Sequence, residues 1–182
     1  MKLEQYRIET TRTLPDLGSL LNNSIHMSLG MYTEIAEVIE ILTTEPYNPY
    51  KLLDEIGDAL WYISNYANLY NFPLVQATED IIIPGFLENK SMIDCILILS
   101  AKLVDCDKKE LAYGKIKELE YKEINIQFLF NCIHMFCIQH QLRIEDVMEK
   151  NIEKLRVRFP EKFSGDLAIN KDESKESEVF IK

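Results

Sequence analysis

The sequence predicts an all-α helical bundle, and composition and apolar periodicity carry this prediction. Glycine and proline number 6 each among 182 residues, which favours long helices over a turn-rich β fold. Between residues 51 and 67, apolar residues recur at the spacing of an amphipathic helix: Leu52, Leu53, Ile56, Ala59, Leu60, Ile63 and Ala67. With 47% hydrophobic residues, the chain is long enough to form one domain with a sizeable core.

The first half of the chain predicts three helices in order. A short helix at 3–13 is ended by Leu14-Pro15. Asp16 is a candidate cap for a long second helix at about 16–43, which Gly30 would loosen. A loop at 45–49 leads to a third helix at about 50–70. Because this loop is short, the second and third helices should be antiparallel neighbours.

The second half predicts shorter helices and a tail. A turn at 71–73 precedes a short helix at 74–82 and a break at Pro84-Gly85. Further helices are expected at about 91–105, 115–139 and 144–157, and Pro160 closes the last. Residues 164–182 have few apolar anchors and are expected to be a mobile charged tail. We therefore predict one domain at 1–163, with a first unit at 14–82 and a second at 91–163.

The second unit resembles a degenerate copy of the first. A shift of 70 positions aligns the turn at Phe72 with the turn at Leu142 and places Asn125 opposite Glu55. The second unit has thus lost the acidic residues of the first, and the first unit lacks the basic end of the second. If the repeat is real, one chain joins an acid-bearing half to a base-bearing half.

The first unit contains two pairs of acidic residues, which we call the acidic frames. Glu34 and Glu37 are three positions apart, as are Glu55 and Asp58, so each pair projects to one side of its helix. On antiparallel neighbouring helices the four carboxylates can converge. Lys51 is the only basic residue between positions 31 and 71, and carboxylates at a core boundary need a cationic partner. A divalent cation is the simplest partner, whereas the alternative is that both frames are solvated surface charge.

The ligand types indicate Mg²⁺, with Mn²⁺ as a second choice. An all-oxygen set suits a hard cation that also binds substrate phosphate. A di-iron bundle would show Glu-x-x-His frames, which are absent here. His and Cys at zinc-ligand spacing are absent as well.

Other polar and aromatic residues are candidates for contacting a nucleobase. Trp61 and Tyr62 follow the second frame and could stack on a base, although packing in the core is the commoner role. Asn22, Asn23 and His26 precede the first frame and could read a base edge, or could simply be exposed.

Three segments together resemble the MazG-like all-α nucleoside triphosphate pyrophosphohydrolases, a family related to the dimeric dUTPase type. Residues 29–38, LGMYTEIAEV, resemble the family's LGL-x-GE-x-GEV segment, and 54–62, DEIGDALWY, resemble its E-ELGD-x-LWY segment. Residues 151–160, NIEKLRVRFP, resemble its N-x-x-KL-x-x-R(Y/F)P helix end. The resemblance covers about 14–163, but compact relatives lack most of the segment between the second and third motifs.

The resemblance implies a metal-dependent enzyme that hydrolyses an NTP or dNTP to the monophosphate and pyrophosphate. It implies that Glu34, Glu37, Glu55 and Asp58 are metal ligands, with Glu37 or Glu34 able to act as general base. Asn151, Lys154 and Arg158 lie at i, i+3 and i+7, and the resemblance implies that they contact phosphate or sugar. Otherwise they complement the dipole at the end of their helix. A catalytically silent nucleotide-binding member and a helical interaction protein are the alternative functions.

Charge and hydropathy restrict the possible partners and location. A net charge of −10 without a basic stripe argues against a nucleic acid polymer. The start lacks the apolar core of a signal peptide, and the apolar run at 128–138 is too short and polar for a membrane span. The cysteines are expected to be free thiols of a cytoplasmic protein, namely Cys95, Cys106, Cys132 and Cys137. We expect a homodimer or higher homo-oligomer.

Overall fold

The all-α prediction is confirmed. The computed structural model describes residues 1–77 and 84–181, and within these ranges the chain forms helices and turns but no strand. One 3₁₀ turn lies at Gly85–Leu87. The helices are α1 (Leu3–Thr11), α2 (Leu20–Thr43), α3 (Pro49–Leu69), α4 (Met92–Tyr113), α5 (Leu119–Gln139), α6 (Ile144–Arg158), α7 (Gly165–Ile169) and α8 (Glu173–Ile181).

The α2 and α3 helices form the predicted antiparallel pair, and side chains cap both of them. Ser19 Oγ accepts a hydrogen bond from Asn22 N at 3.1 Å, so α2 begins at Leu20. Asp16 was predicted as this cap, but its carboxylate accepts from Gly18 N in the preceding turn. At the start of α3, Asn48 Oδ1 accepts from the amide of residue 50 at 3.0 Å, an N-cap of the usual asparagine type.

Gly30 does not loosen α2, which is continuous through this position. A Cβ atom at residue 30 would lie 2.1 Å from Tyr62 Cε1, far inside van der Waals contact. The glycine therefore lets the Tyr62 ring pack directly on the backbone of α2. This contact draws α2 and α3 together one turn away from the first acidic frame.

The other helices pack on two sides of the α2–α3 pair. The α4 helix lies against α2 and is itself covered by α5, whereas α1 and α6 pack on α3. One continuous apolar core runs through these helices and includes Tyr6, Met27, Leu60, Leu99 and Phe130. The arrangement leaves the facing surfaces of α2, α3 and α6 to form a polar cleft.

The two turns that the predicted repeat aligns have the same backbone geometry. Phe72 N bonds to Ala67 O at 2.9 Å and Leu142 N bonds to Cys137 O at 2.8 Å. The residues just before them, Asn71 and Gln141, have φ of 55° and 59°. The following segments differ, because 74–77 is not helical where a short helix was predicted at 74–82. The remainder of that predicted helix, 78–82, lies outside the described residues.

The second unit has an acidic pair of its own that the sequence comparison missed. Asp107 and Glu110 on α4 accept from Lys122 Nζ of α5 at 2.9 and 3.1 Å. The Lys122 side chain is only 1% exposed, so an internal ammonium bridges the two carboxylates. The four cysteines of the chain are buried and unpaired.

The structure differs from the prediction of a mobile tail at 164–182. This segment contains α7 and α8, and α8 packs against α6 and α3. Among the described residues, no helix is both long enough and apolar enough to cross a membrane.

Candidate active site

Three of the four predicted carboxylates converge. Oxygen atoms of Glu34 and Glu37 on α2 and of Glu55 on α3 all lie within 4.8 Å of one another. Glu34 and Glu55 are half-buried and Glu37 is exposed. We call these three residues the carboxylate cluster; it forms because the antiparallel pairing of α2 and α3 turns the two frames toward each other.

Burial and mutual repulsion disfavour the ionised forms of the carboxylate cluster. Burial, followed by repulsion from neighbouring carboxylates such as Asp58, raises the pKa of Glu34 to about 8. Burial and the charges of Asp58 and Asp54 raise the pKa of Glu55 to about 7. Lys154 opposes both shifts but does not cancel them. Closely spaced carboxylates of this kind are stabilised by a cation.

Asp58, the fourth predicted ligand, is bound by side chains of α6 and is not one of the three that converge. Lys154 Nζ lies 2.6 Å from both Asp58 carboxylate oxygens. Asn151 Nδ2 donates to Asp58 Oδ1 at 2.8 Å. Asp58 therefore already has partners within the protein, and the structure places it beside the cluster rather than in it.

Asp54 is a fifth carboxylate of the site that the sequence reasoning did not single out. It lies one helical turn before Asp58, and Lys154 Nζ bonds to both. Burial lowers the pKa of Lys154, but the charges of Asp58 and Asp54 outweigh this effect and raise it. The i, i+4 spacing of Asp54 and Asp58 on one helix was the available sequence signal.

Asn151 is buried and was predicted to contact substrate. Its exposed fraction is 1%, and its Oδ1 accepts from Tyr6 Oη at 2.9 Å. A Cβ atom at Gly57 would lie 3.0 Å from Asn151 Cβ, so this glycine admits the side chain. Both ends of the amide are thus engaged, and Asn151 orients Asp58 rather than facing the cleft.

Arg158 is the third predicted basic residue, and a residue of α8 binds it. Arg158 Nε donates to Glu176 Oε1 at 2.8 Å, and Nη2 donates to Glu176 Oε2. This hydrogen bonding, partly opposed by burial, raises the pKa of Arg158. Glu176 lies in the segment predicted to be a mobile tail, so sequence reasoning missed it.

Two clefts meet at these residues. The acidic cleft, of about 580 Å³, contains the carboxylate cluster, Asp54, Asp58, Lys154, Arg158 and part of α8. The aromatic cleft, of about 610 Å³, is lined by His26, Trp61, Tyr62, Phe159 and Phe163 among others. Glu34, Asp58 and Arg158 line both. An elongated ligand with a charged end and a flat apolar end can span the two.

The aromatic cleft contains three of the predicted base-contacting residues. Trp61 is mostly buried, and its Nε1 donates to Thr13 Oγ1 at 2.9 Å. Tyr62 stands edge-on to Trp61, with ring centroids 4.9 Å apart, and edge-on to His26 at 5.7 Å. Burial lowers the pKa of His26 and raises that of Tyr62 to about 12, so both rings are neutral at pH 7.

Asn22 and Asn23 are not among the residues that line the aromatic cleft. Asn23 Oδ1 accepts from Leu17 N at 2.8 Å, and Asn22 Nδ2 donates to Leu17 O at 3.1 Å. They fasten the loop before α2, and this loop contributes Leu17 to the cleft wall.

The donor set fits a hard divalent cation, because three carboxylates supply only oxygen ligands and a bound cation would favour their ionised forms against burial and mutual repulsion. Arg158 stands beside them as a forked cation suited to phosphate. Searches against family models, curated proteins and solved structures found no match to this chain.

Proposed function

We propose that this protein is a metal-dependent nucleoside triphosphate pyrophosphohydrolase, which converts an NTP or dNTP to the monophosphate and pyrophosphate. The single observation that carries the proposal is the convergence of Glu34, Glu37 and Glu55 at the junction of an acidic and an aromatic cleft. The resemblance of the acidic frames to the MazG-like family supports the same reaction.

The carboxylate cluster would hold Mg²⁺ or Mn²⁺, with Asp58 adjacent. A bound divalent cation supplies Lewis-acid activation of water and offsets the charge of the phosphates. Glu34 or Glu37 would accept the proton of a water molecule that attacks the α-phosphorus. The bond from the α-phosphorus to the bridging oxygen then breaks, and pyrophosphate leaves with that oxygen.

The other residues bind and orient the substrate. Arg158 is the forked cation next to the cluster, and it would bind phosphate oxygens in pairs. The aromatic cleft would take the base, with Tyr62 and His26 as neutral, flat surfaces. Lys154 and Asn151 would keep the Asp58 carboxylate in position.

The test is release of pyrophosphate and phosphate from a panel of canonical and modified nucleotides with Mg²⁺ or Mn²⁺. Glu37→Ala and Asp58→Ala should each abolish pyrophosphate release, because they remove acids of the site. Glu161→Ala is the matched control, since Glu161 is exposed and lies outside both clefts. Its turnover should equal that of the unaltered protein.

Binding can be followed separately from turnover. Trp61 is the only tryptophan of the chain and lines the aromatic cleft, so nucleotide entry should change its fluorescence. No turnover and no fluorescence change across the panel, with metal present and the protein folded, would reject the proposal and favour a helical interaction protein.

A catalytically silent nucleotide-binding protein is the second candidate. The observation that favours it is the pairing of Asp58 with Lys154 and Asn151, which leaves three acids rather than four in the cluster. Metal-dependent quenching of Trp61 by nucleotide without product release would select this function. Assembly into a homodimer or higher oligomer remains a prediction, which light scattering tests.

A further inference from the structure

The last helix closes one side of the acidic cleft. Glu173, Glu176, Ser177 and Phe180 of α8 line this cleft opposite the carboxylate cluster. The helix packs on α6 and α3, the two helices that carry Arg158 and Asp58. A ligand that reaches Arg158 through the acidic cleft must therefore share space with α8.

The attachment of α8 to the body is polar. Glu176 is the only buried residue of α8, and its side chain is 8% exposed. Lys150 Nζ of α6 donates to Val179 O at 2.8 Å as a second link. Because the one buried side chain of α8 makes an ion pair with Arg158, a competing anion can displace it.

The geometry of the Glu176 contact is that of an oxyanion on a guanidinium. Both carboxylate oxygens of Glu176 accept hydrogen bonds from Arg158, one from Nε and one from Nη2. Arginine binds phosphate through the same fork. Lys154, the buried cation of the site, is already engaged by Asp54 and Asp58. Arg158 is thus a cation that substrate and α8 would both use, whereas Lys171, which also lines the cleft, is exposed and pairs with Glu173.

We propose that α8 is an autoinhibitory latch, in which the Glu176 carboxylate occupies the position of a substrate phosphate on Arg158 and is displaced when a polyphosphate binds. This inference rests on the proposed function because it names the regulation of the same site. Bound substrate releases α8, and the fraction of molecules with α8 released limits the apparent affinity.

The test is calorimetric binding of inorganic tripolyphosphate, in the presence of Mg²⁺, to full-length variants. Glu176→Gln keeps the size of the side chain and removes its charge, and it should tighten tripolyphosphate binding about tenfold. Glu178→Gln is the matched control on the same helix, because Glu178 is exposed, lies outside the lining of the acidic cleft and acts on Lys175 of its own helix. It should leave the affinity unchanged, which separates the latch from a general change in net charge.

A double-mutant comparison isolates the contact with Arg158. In an Arg158→Gln background, Glu176→Gln should no longer tighten binding, because the shared cation has been removed. Hydrogen exchange gives an independent measurement, and amides of 173–181 should lose protection when tripolyphosphate binds to the unaltered protein. Equal or weaker binding by Glu176→Gln, or α8 protection that persists with tripolyphosphate bound, would overturn the latch.

These outcomes are distinct from failure of the proposed function. If no nucleotide is hydrolysed but Glu176→Gln binds tripolyphosphate more tightly, the latch stands and the hydrolase does not. If nucleotides are hydrolysed, Glu176→Gln should also lower KM about tenfold. Hydrolysis with an unchanged KM in this variant would reject the latch alone.

Discussion

The side-chain amide of Asn151 donates to Asp58 Oδ1 at 2.8 Å, joining positions 93 residues apart in the sequence. Lys154, one turn later on α6, binds the same carboxylate. Asn151 and Lys154 of α6 therefore bind an acidic residue of α3 within the protein. Only Arg158, at the end of this face, is bound by a residue of the last helix instead.

Replacing Tyr6 with phenylalanine tests the positioning of Asp58. Tyr6 Oη donates to Asn151 Oδ1 at 2.9 Å, and its loss frees the amide that orients Asp58. We expect a loss of about 1 kcal/mol in the free energy of unfolding and a lower kcat with little change in KM. Urea unfolding and steady-state kinetics measure these effects. Tyr113→Phe is the control, since Tyr113 is 76% exposed, and an equal effect of both substitutions would contradict the role of Tyr6.

Replacing Lys154 with methionine tests the buried charge pairing. Lys154 is 2% exposed, and its removal takes away the ammonium that bonds to both Asp54 and Asp58. We expect the free energy of unfolding at pH 7 to fall by about 3 kcal/mol, and the loss to shrink as pH falls and the two acids become protonated. Urea unfolding at two pH values measures this. Lys162→Met, at an exposed position, should have little effect, and a loss for Lys154→Met that is independent of pH would argue for lost packing instead.

Metal addition should stabilise the protein through the carboxylate cluster. A cation that binds only the native state at 100 times its Kd adds about 2.7 kcal/mol, which raises Tm by about 5 °C or more for a domain of this size. Glu37→Gln should abolish most of this increase because it removes one of the three ligands. Thermal melts with Mg²⁺ or with a chelator measure the difference. An undiminished increase in Glu37→Gln would place the cation elsewhere.

The pH dependence of stability without metal follows from the raised pKa values in the cluster. Glu34 titrates at about 8 in the folded protein against an ordinary value of 4.5, and Glu55 at about 7. The folded state then binds more protons than the unfolded state between these values, so stability falls as pH rises from about 5 to 8. In the presence of a chelator, Tm should decrease over this range, and less steeply in Glu34→Gln.

The groups that face Glu34 act in known directions. Glu37, Glu55 and Asp58 raise its pKa, and Lys154 lowers it. A Tm that increases with pH over the same range in the presence of a chelator would contradict the raised pKa values of Glu34 and Glu55.

Gly30→Ala tests the close approach of α2 and α3. The added Cβ would overlap the Tyr62 ring at 2.1 Å, so the ring must move from its place beside Trp61. Alanine also favours the helix by about 1 kcal/mol over glycine. We expect a folded protein with altered Trp61 fluorescence. Gly30→Ala should raise the free energy of unfolding less in the unaltered protein than in a Tyr62→Ala background, where the ring is absent. Equal gains in the two backgrounds, by urea unfolding, would contradict the contact.

Much of the fold could be predicted from local sequence patterns. Apolar periodicity located α3 to within about one residue at each end, and α6 began at the predicted Ile144. The predicted start of α2 and the predicted end of α4 were wrong, because capping residues set these positions. The start of α2 moved from Asp16 to Leu20 because Ser19 caps it, and α4 extends to Tyr113 until Gly114 adopts a positive φ.

The helical class, the two acidic frames and the face shared by Asn151, Lys154 and Arg158 could all be predicted, because each depends on composition or on spacing within one helix. Which charges meet could not be predicted, since that depends on how the helices pack. Asp58 is drawn to Lys154 while Glu34, Glu37 and Glu55 gather, and Glu176 comes to Arg158 from a segment without an apolar signal. Contacts between side chains of different helices depend on how the whole helices pack. Local sequence spacing does not specify the distance between residues on different helices.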